Sequence, residues 1–203
     1  MAELAKRHAE FEARGVKLLG VCVGSVDEHR AFVSDVQSTF GVTVRFPVIA
    51  DEAREVVSRL GLIHPRMRGT GSGRHSIRSV VVASPVDDDL EGGGRQAELV
   101  LHYPPHIGRD TGELLRCMDA LLRSHADDGI GTPANWQAGQ DVVLLPSVSD
   151  DEAKARAEAA GRSLDVIGGL DAGGTAGGGF SALTPYIRLV PDPGLPPAAG
   201  GSA

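Results

Sequence analysis

Two cysteines and seven histidines are the first places to look in this 203-residue chain for a nucleophile, a general base or a metal ligand. A thiolate attacks electrophiles and binds soft metals, but only where its pKa is brought down; in apolar surroundings it is pushed up and the thiol is inert. Cys22 lies in the apolar run Leu18 to Val23 and Cys117 among the leucines of Leu114 to Leu122. Both therefore read as small buried hydrophobes. Histidines 8, 29, 64, 75, 102, 106 and 125 show no His-x-x-x-His spacing, and the cysteines no Cys-x-x-Cys. His102 and His106 straddle Pro104-Pro105, which no helix tolerates, so nothing obliges their rings to converge on a metal. The Gly-rich run at 167–179 lacks the Gly-Lys-Ser/Thr ending of a phosphate loop and reads as linker. Neither metal nor cofactor is expected.

The elements that position these residues follow from apolar periodicity and breakers. Residues 2–14 place Leu4, His8 and Phe11 on one helical face, and Gly15 stops the helix. Val16 to Val23 is apolar at nearly every position, as in a strand buried on both faces. Asp27 to Phe40 predicts a helix ended by Gly41, and Phe46 to Asp51 an extended edge that Pro47 keeps from the sheet centre. Glu52 to Leu60 predicts a short helix, and residues 64–75 a Gly/Arg-rich loop. Two strands, Ile77 to Ala83 and Ala97 to Tyr103, flank an Asp/Gly-rich connection at 86–95, and Thr111 to Arg123 is an amphipathic helix. This order is that of an α/β layer structure with helices on both faces of a sheet. Beyond 127, Asp141 to Leu145 reads as a strand, Ser149-Asp150-Asp151-Glu152 opens a helix, and strand character returns at Pro185 to Val190.

A net charge of −7 opposes nucleic-acid binding, which needs a basic surface. No apolar run approaches the roughly 18–20 residues of a membrane span. Two cysteines are too few for a secreted disulfide scaffold, so a reducing, cytoplasmic setting is expected, or an organelle if a targeting peptide precedes Met1.

Several stretches, in this order, resemble a peroxiredoxin of the one-cysteine class. They are Phe46-Pro47-Val48-Ile49-Ala50-Asp51, Ser76-Ile77-Arg78-Ser79-Val80-Val81-Val82, Leu101-His102-Tyr103-Pro104, Gly108-Arg109 and Thr132-Pro133-Ala134-Asn135-Trp136. Gly139, Asp141-Val142-Val143 and Pro146-Ser147-Val148-Ser149-Asp150 extend the match. The resemblance implies a thioredoxin-like three-layer α/β sandwich over 1–126 and a C-terminal dimerisation domain over 127–190. A Gly-rich insert at 167–182 and a disordered tail at 191–203 complete the expected plan.

The same resemblance implies a thiol peroxidase that acts on a peroxide, is restored by an external thiol and forms a homodimer. Arg78 falls at the family's position for the arginine that stabilises thiolate and peroxide. Arg109 matches a second arginine, one that braces the active-site helix through a glutamate; otherwise it is a solvated residue at a helix entry. The family's Pro-x-x-x-Thr-x-x-Cys loop has no counterpart, and Met1-Ala2-Glu3-Leu4 aligns just after it. Gly24 and His64 stand where aspartates are usual, and a serine–histidine–aspartate phospholipase site is not carried over.

The expected arrangement is a chain whose first strands and active-site helix start lie upstream, inactive alone; the alternative is a silent relative that binds and dimerises. Loss of a central strand costs on the order of 10 kcal/mol in buried side chains. An incomplete gene model, a fragment, or direct pairing of 16–23 with 77–83 would each account for the sequence.

Overall fold

The computed structural model describes residues 1–63, 76–86, 94–104, 106–159, 182–184, 187–192 and 194. The loop expected at 64–75, most of the 86–95 connection, the insert at 167–181 and most of the tail lie outside the described residues. Packing divides the chain into two units, Met1–Thr111 and Gly112–Ala203. The long C-terminal helix of the expected first domain therefore goes with the second unit, where the sequence reading ended the first domain at 126.

In the first unit, the expected single helix over 2–14 is two short ones, α1 (Ala2–Lys6) and α2 (His8–Glu12). They break at Arg7, whose φ of −100° and ψ of 14° leave helical geometry. The side chain of Arg7 is engaged by the Glu10 carboxylate at 2.7 Å. Strand β1 is only Gly20–Cys22. Helix α3 (Val26–Phe40) starts where a local capping box satisfies its free amides: Ser25 Oγ accepts from the Glu28 amide at 3.3 Å, and Glu28 Oε2 accepts from the Ser25 amide at 2.8 Å. It ends at Gly41, which takes the left-handed φ of 61° that a Cβ would resist.

Strand β2 (Val48–Ala50) runs parallel to β1, Val21 opposite Ile49. Asp51 then caps α4 (Glu55–Arg59): its buried carboxylate accepts the amides of Val56 and Val57 at 3.2 and 2.8 Å. Strands β3 (Arg78–Ala83) and β4 (Ala97–Tyr103) form an antiparallel pair with Arg78 opposite Tyr103 and Val80 opposite Leu101.

Among the described residues β1 pairs only with β2, and β3 only with β4. Direct pairing of 16–23 with 77–83 is therefore not formed, and one edge each of β1 and β3 carries no ladder. This overturns the expectation of two-sided burial around β1. Leu19 is 59% exposed and Cys22 is exposed, because a three-residue strand hydrogen-bonded on one side cannot enclose its neighbours. The thiol read as buried and inert is open to solvent.

The second unit is built on α5 (Thr111–Ala126) and a four-stranded sheet in the order β5 (Ile130–Gly131), β6 (Val142–Leu144), β8 (Ile187–Val190), β7 (Ala182–Thr184). Helix α6 (Asp150–Ala159) begins where Ser149 Oγ accepts the Glu152 amide at 3.2 Å. Ile130, Trp136, Val142, Leu144, Val148, Ala153, Ala157 and Val190 make one core. Trp136 is fully buried and its indole N–H donates to the Gln140 carbonyl at 2.9 Å, which satisfies the one polar atom a buried tryptophan carries. Leu114, Leu115 and Met118 of α5 point inward as the periodicity required, and Cys117 is buried with them.

Candidate active site

Arg78 opens β3 and faces Tyr103, the last residue of β4, across the antiparallel ladder. Six residues after Tyr103 the chain has turned back, so that Arg109 Nη2 donates to the Ser79 carbonyl at 3.1 Å. That bond holds the second guanidinium against the start of β3. The two arginines singled out from the sequence are thus brought together by the connection after β4 folding back on the start of β3, rather than by sequence proximity.

The electrostatics of this corner are those of cations in want of an anion. Burial pulls the Arg109 pKa below its ordinary value, and the neighbouring charge of Arg78 pulls it further; Tyr103 and Cys22 act in the opposite direction. The amino group of Met1, half-buried at the start of α1, is also held low, by burial first and then by Arg109 and Arg78. Arg109 Nε is buried without a hydrogen-bond partner, and among the described residues no carboxylate pairs with either guanidinium. Leaving such donors unsatisfied costs free energy that an incoming anion recovers. On the opposite face of the β3–β4 pair, Ser79 Oγ and His102 Nδ1 lie 2.6 Å apart.

Sequence reasoning missed Cys22 here. Its exposed thiol at the end of β1 lies within electrostatic reach of Arg109, and the missed signal is the shortness of the strand, which an apolar run conceals. Cys117 is where it was expected. Burial, then a hydrogen bond to the Glu113 carboxylate at 3.3 Å, push its thiol upward and away from reactivity. Among the described residues no group of three His, Cys, Asp or Glu side chains is placed to hold a metal ion, and no helix is long and apolar enough to cross a membrane.

Residues 1–85 match the AhpC/TSA family, and residues 122–159 match the C-terminal domain of 1-Cys peroxiredoxin. A 1-Cys peroxiredoxin A of Oryza sativa subsp. japonica is 33% identical over 157 residues, covering 77% of this chain and 67% of the relative. The chain belongs to the 1-Cys peroxiredoxins. A mitochondrial peroxiredoxin of Saccharomyces cerevisiae is 35% identical over 193 residues, covering 94% of this chain and 63% of that protein.

Among solved peroxiredoxins, the yeast mitochondrial 1-Cys protein superposes with a TM-score of 0.70 at 31% identity, over 94% of this chain and 77% of that one. A cysteine-to-serine mutant of peroxiredoxin 6 from Arenicola marina gives 0.69 at 27% identity, over 95% and 77%. The expected α/β, thioredoxin-like peroxiredoxin fold with a C-terminal segment is therefore the fold of this 1-Cys peroxiredoxin.

Proposed function

We propose that this 1-Cys peroxiredoxin is the body of a thiol-dependent peroxidase in which Arg78 and Arg109 stabilise a cysteine thiolate and the peroxide it reduces. The cysteine itself is carried on a segment N-terminal to Met1, whose strand fills the space between the free edges of β1 and β3. The observation that carries the reading is the pair of guanidiniums, Arg78 at the start of β3 and Arg109 in the connection between β4 and α5, with no carboxylate to neutralise them among the described residues.

The chemistry follows from that charge. A thiol with an ordinary pKa near 8.5 is mostly protonated at neutral pH; adjacent cations favour its anion and so raise the reactive fraction. The thiolate sulfur attacks one peroxide oxygen, the O–O bond breaks, and the other oxygen leaves with the electron pair and takes up a proton. Hydrogen bonds from the guanidiniums stabilise that departing charge where it develops. The cysteine is left as sulfenic acid. An external thiol condenses with it to a mixed disulfide, releasing water, and a second thiol exchanges to restore the cysteine. No metal or cofactor takes part.

Residues 127–190 supply the homodimer surface in this reading, as the match to the C-terminal 1-Cys peroxiredoxin domain supports. In this reading residues 1–203 alone form a silent, dimerising body: Cys117 is buried with its thiol pushed upward, and Cys22, though exposed, ends a strand rather than opening a reactive helix. The compartment is cytoplasmic, or organellar if a targeting peptide precedes the chain.

The test is peroxide consumption with excess dithiothreitol, measured on the polypeptide isolated from its source and on residues 1–203 alone. Turnover by the former and none by the latter supports the proposal. A source protein of 21.1 kDa that consumes no peroxide refutes it and leaves the silent, dimerising body as the function.

A further inference from the structure

A second cationic corner lies in the first unit, built from α1, α2 and the connection between α3 and β2. It is a cavity of about 340 Å³, near the lower end of the size range of small-ligand sites. Lys6, His8, Thr43 and Arg45 supply its polar wall, and Ala9 and Val42 an apolar one. None of these residues belongs to the Arg78–Arg109 site. We propose that this cavity binds a phosphate monoester, the phosphate held by Arg45 and Lys6 and the ester group against Ala9 and Val42.

The walls are fixed in place. The imidazole of His8 stacks on Phe46, ring centres 6.0 Å apart, and so ties α2 to the residue that follows Arg45. The Val44 amide donates to Gln37 Oε1 at 3.0 Å, which pins the Gly41-to-Arg45 connection to the last turns of α3. Gly41, at φ 61°, has nothing within 4 Å of where a side chain would sit.

The charges leave room for an anion. Arg45 is exposed and carries no ion pair among the described residues. Lys6 Nζ donates to Glu3 Oε1 at 2.8 Å, a surface pair with side chains 47% and 63% exposed. Such a pair contributes little, so a phosphate oxygen can take Glu3's place. His8 Nδ1 lies 3.4 Å from Glu12 Oε2, out of line for a hydrogen bond, and is buried without a partner. Guanidinium binding of a tetrahedral oxyanion is bidentate and charge-assisted, which favours phosphate over halide or other spherical anions. On a chain of net charge −7, a concave spot lined by Lys6, His8 and Arg45 favours such a ligand.

The experiment is calorimetric titration of residues 1–203 with phenyl phosphate and, separately, inorganic phosphate. Saturable binding of phenyl phosphate below about 10 mM is expected, with inorganic phosphate weaker for want of the apolar contact. Arg45→Ala should weaken phenyl phosphate about tenfold, and Arg45→Lys should restore part of that loss. Arg59→Ala, on α4, should change nothing. An unchanged melting temperature in Arg45→Ala separates lost binding from lost fold. No saturation, equal weakening by Arg59→Ala, or abolition of binding by Arg78→Ala would overturn the assignment. The last outcome would place the anion at the peroxidase site instead and leave that proposal standing.

Discussion

Replacing Arg123 by methionine should be among the most damaging single changes in the second unit. Arg123 projects from α5, and its side chain is 2% exposed; Asp192, just past β8, is 3% exposed. Arg123 Nε donates to Asp192 Oδ1 at 2.5 Å, while Arg123 Nη2 is buried without a partner. Methionine keeps much of the arginine's length and fills its channel, but leaves the Asp192 carboxylate buried with the Gly194 amide, at 3.0 Å, as a remaining donor. Breaking a buried pair from one side costs about 3–5 kcal/mol, against a domain stability of about 5–15 kcal/mol.

The double variant Arg123→Met/Asp192→Leu removes both charges, so most of the loss should return. Urea denaturation followed by fluorescence of Trp136, the chain's one tryptophan and a member of the same unit's core, reads both variants directly. A single variant costing under about 1 kcal/mol would refute the reasoning, as would a double variant as damaged as the single, because the buried charge would then not be the cause.

Ser25→Ala should cost about 1 kcal/mol through loss of the α3 capping box, seen as an earlier midpoint in denaturation followed by circular dichroism. Iodoacetamide should modify Cys22 first, since Cys117 is buried and its thiol is pushed upward; mass mapping that finds Cys117 modified first would contradict the structure. The raised Cys117 pKa also sets an alkaline trend. The folded state holds that proton more tightly than the unfolded state, so the contribution is complete below the ordinary thiol value and is lost as pH rises through the raised folded value. Cys117→Ser should flatten stability at alkaline pH, above the ordinary thiol value, measured by urea midpoints in a pH series.

What was legible in the sequence depended on how each element is stabilised. Helix α5 was readable because its apolar face repeats every three to four residues over sixteen positions and is buried within one unit. Helix α3 announced both ends, through Ser25 and Gly41. Strand β5 has only two residues, Ile130 and Gly131, too few for a period, and was not foreseen. The break at Arg7 interrupts no periodicity, so one helix was expected where two form.

Cys22 was misplaced for a different reason. An apolar run reports what a strand could bury, whereas burial here depends on which strands stand beside it. Arg78 and Arg109 were found through family motifs; no local pattern marks an arginine on a strand and another in a distant connection as neighbours. The pocket of Lys6, His8 and Arg45 was invisible because it is assembled from segments far apart in the chain.

The central claim is that the paired guanidiniums of Arg78 and Arg109 serve a peroxide-reducing thiolate. Its most direct test is the second-order rate constant for hydrogen peroxide, measured by stopped flow on the source polypeptide with Arg78→Ala, Arg109→Ala and the exposed control Arg59→Ala. The account predicts a fall on the order of 10²-fold for Arg78→Ala, a smaller fall for Arg109→Ala and none for Arg59→Ala. An Arg78→Ala protein that reduces peroxide at the unaltered rate would contradict it.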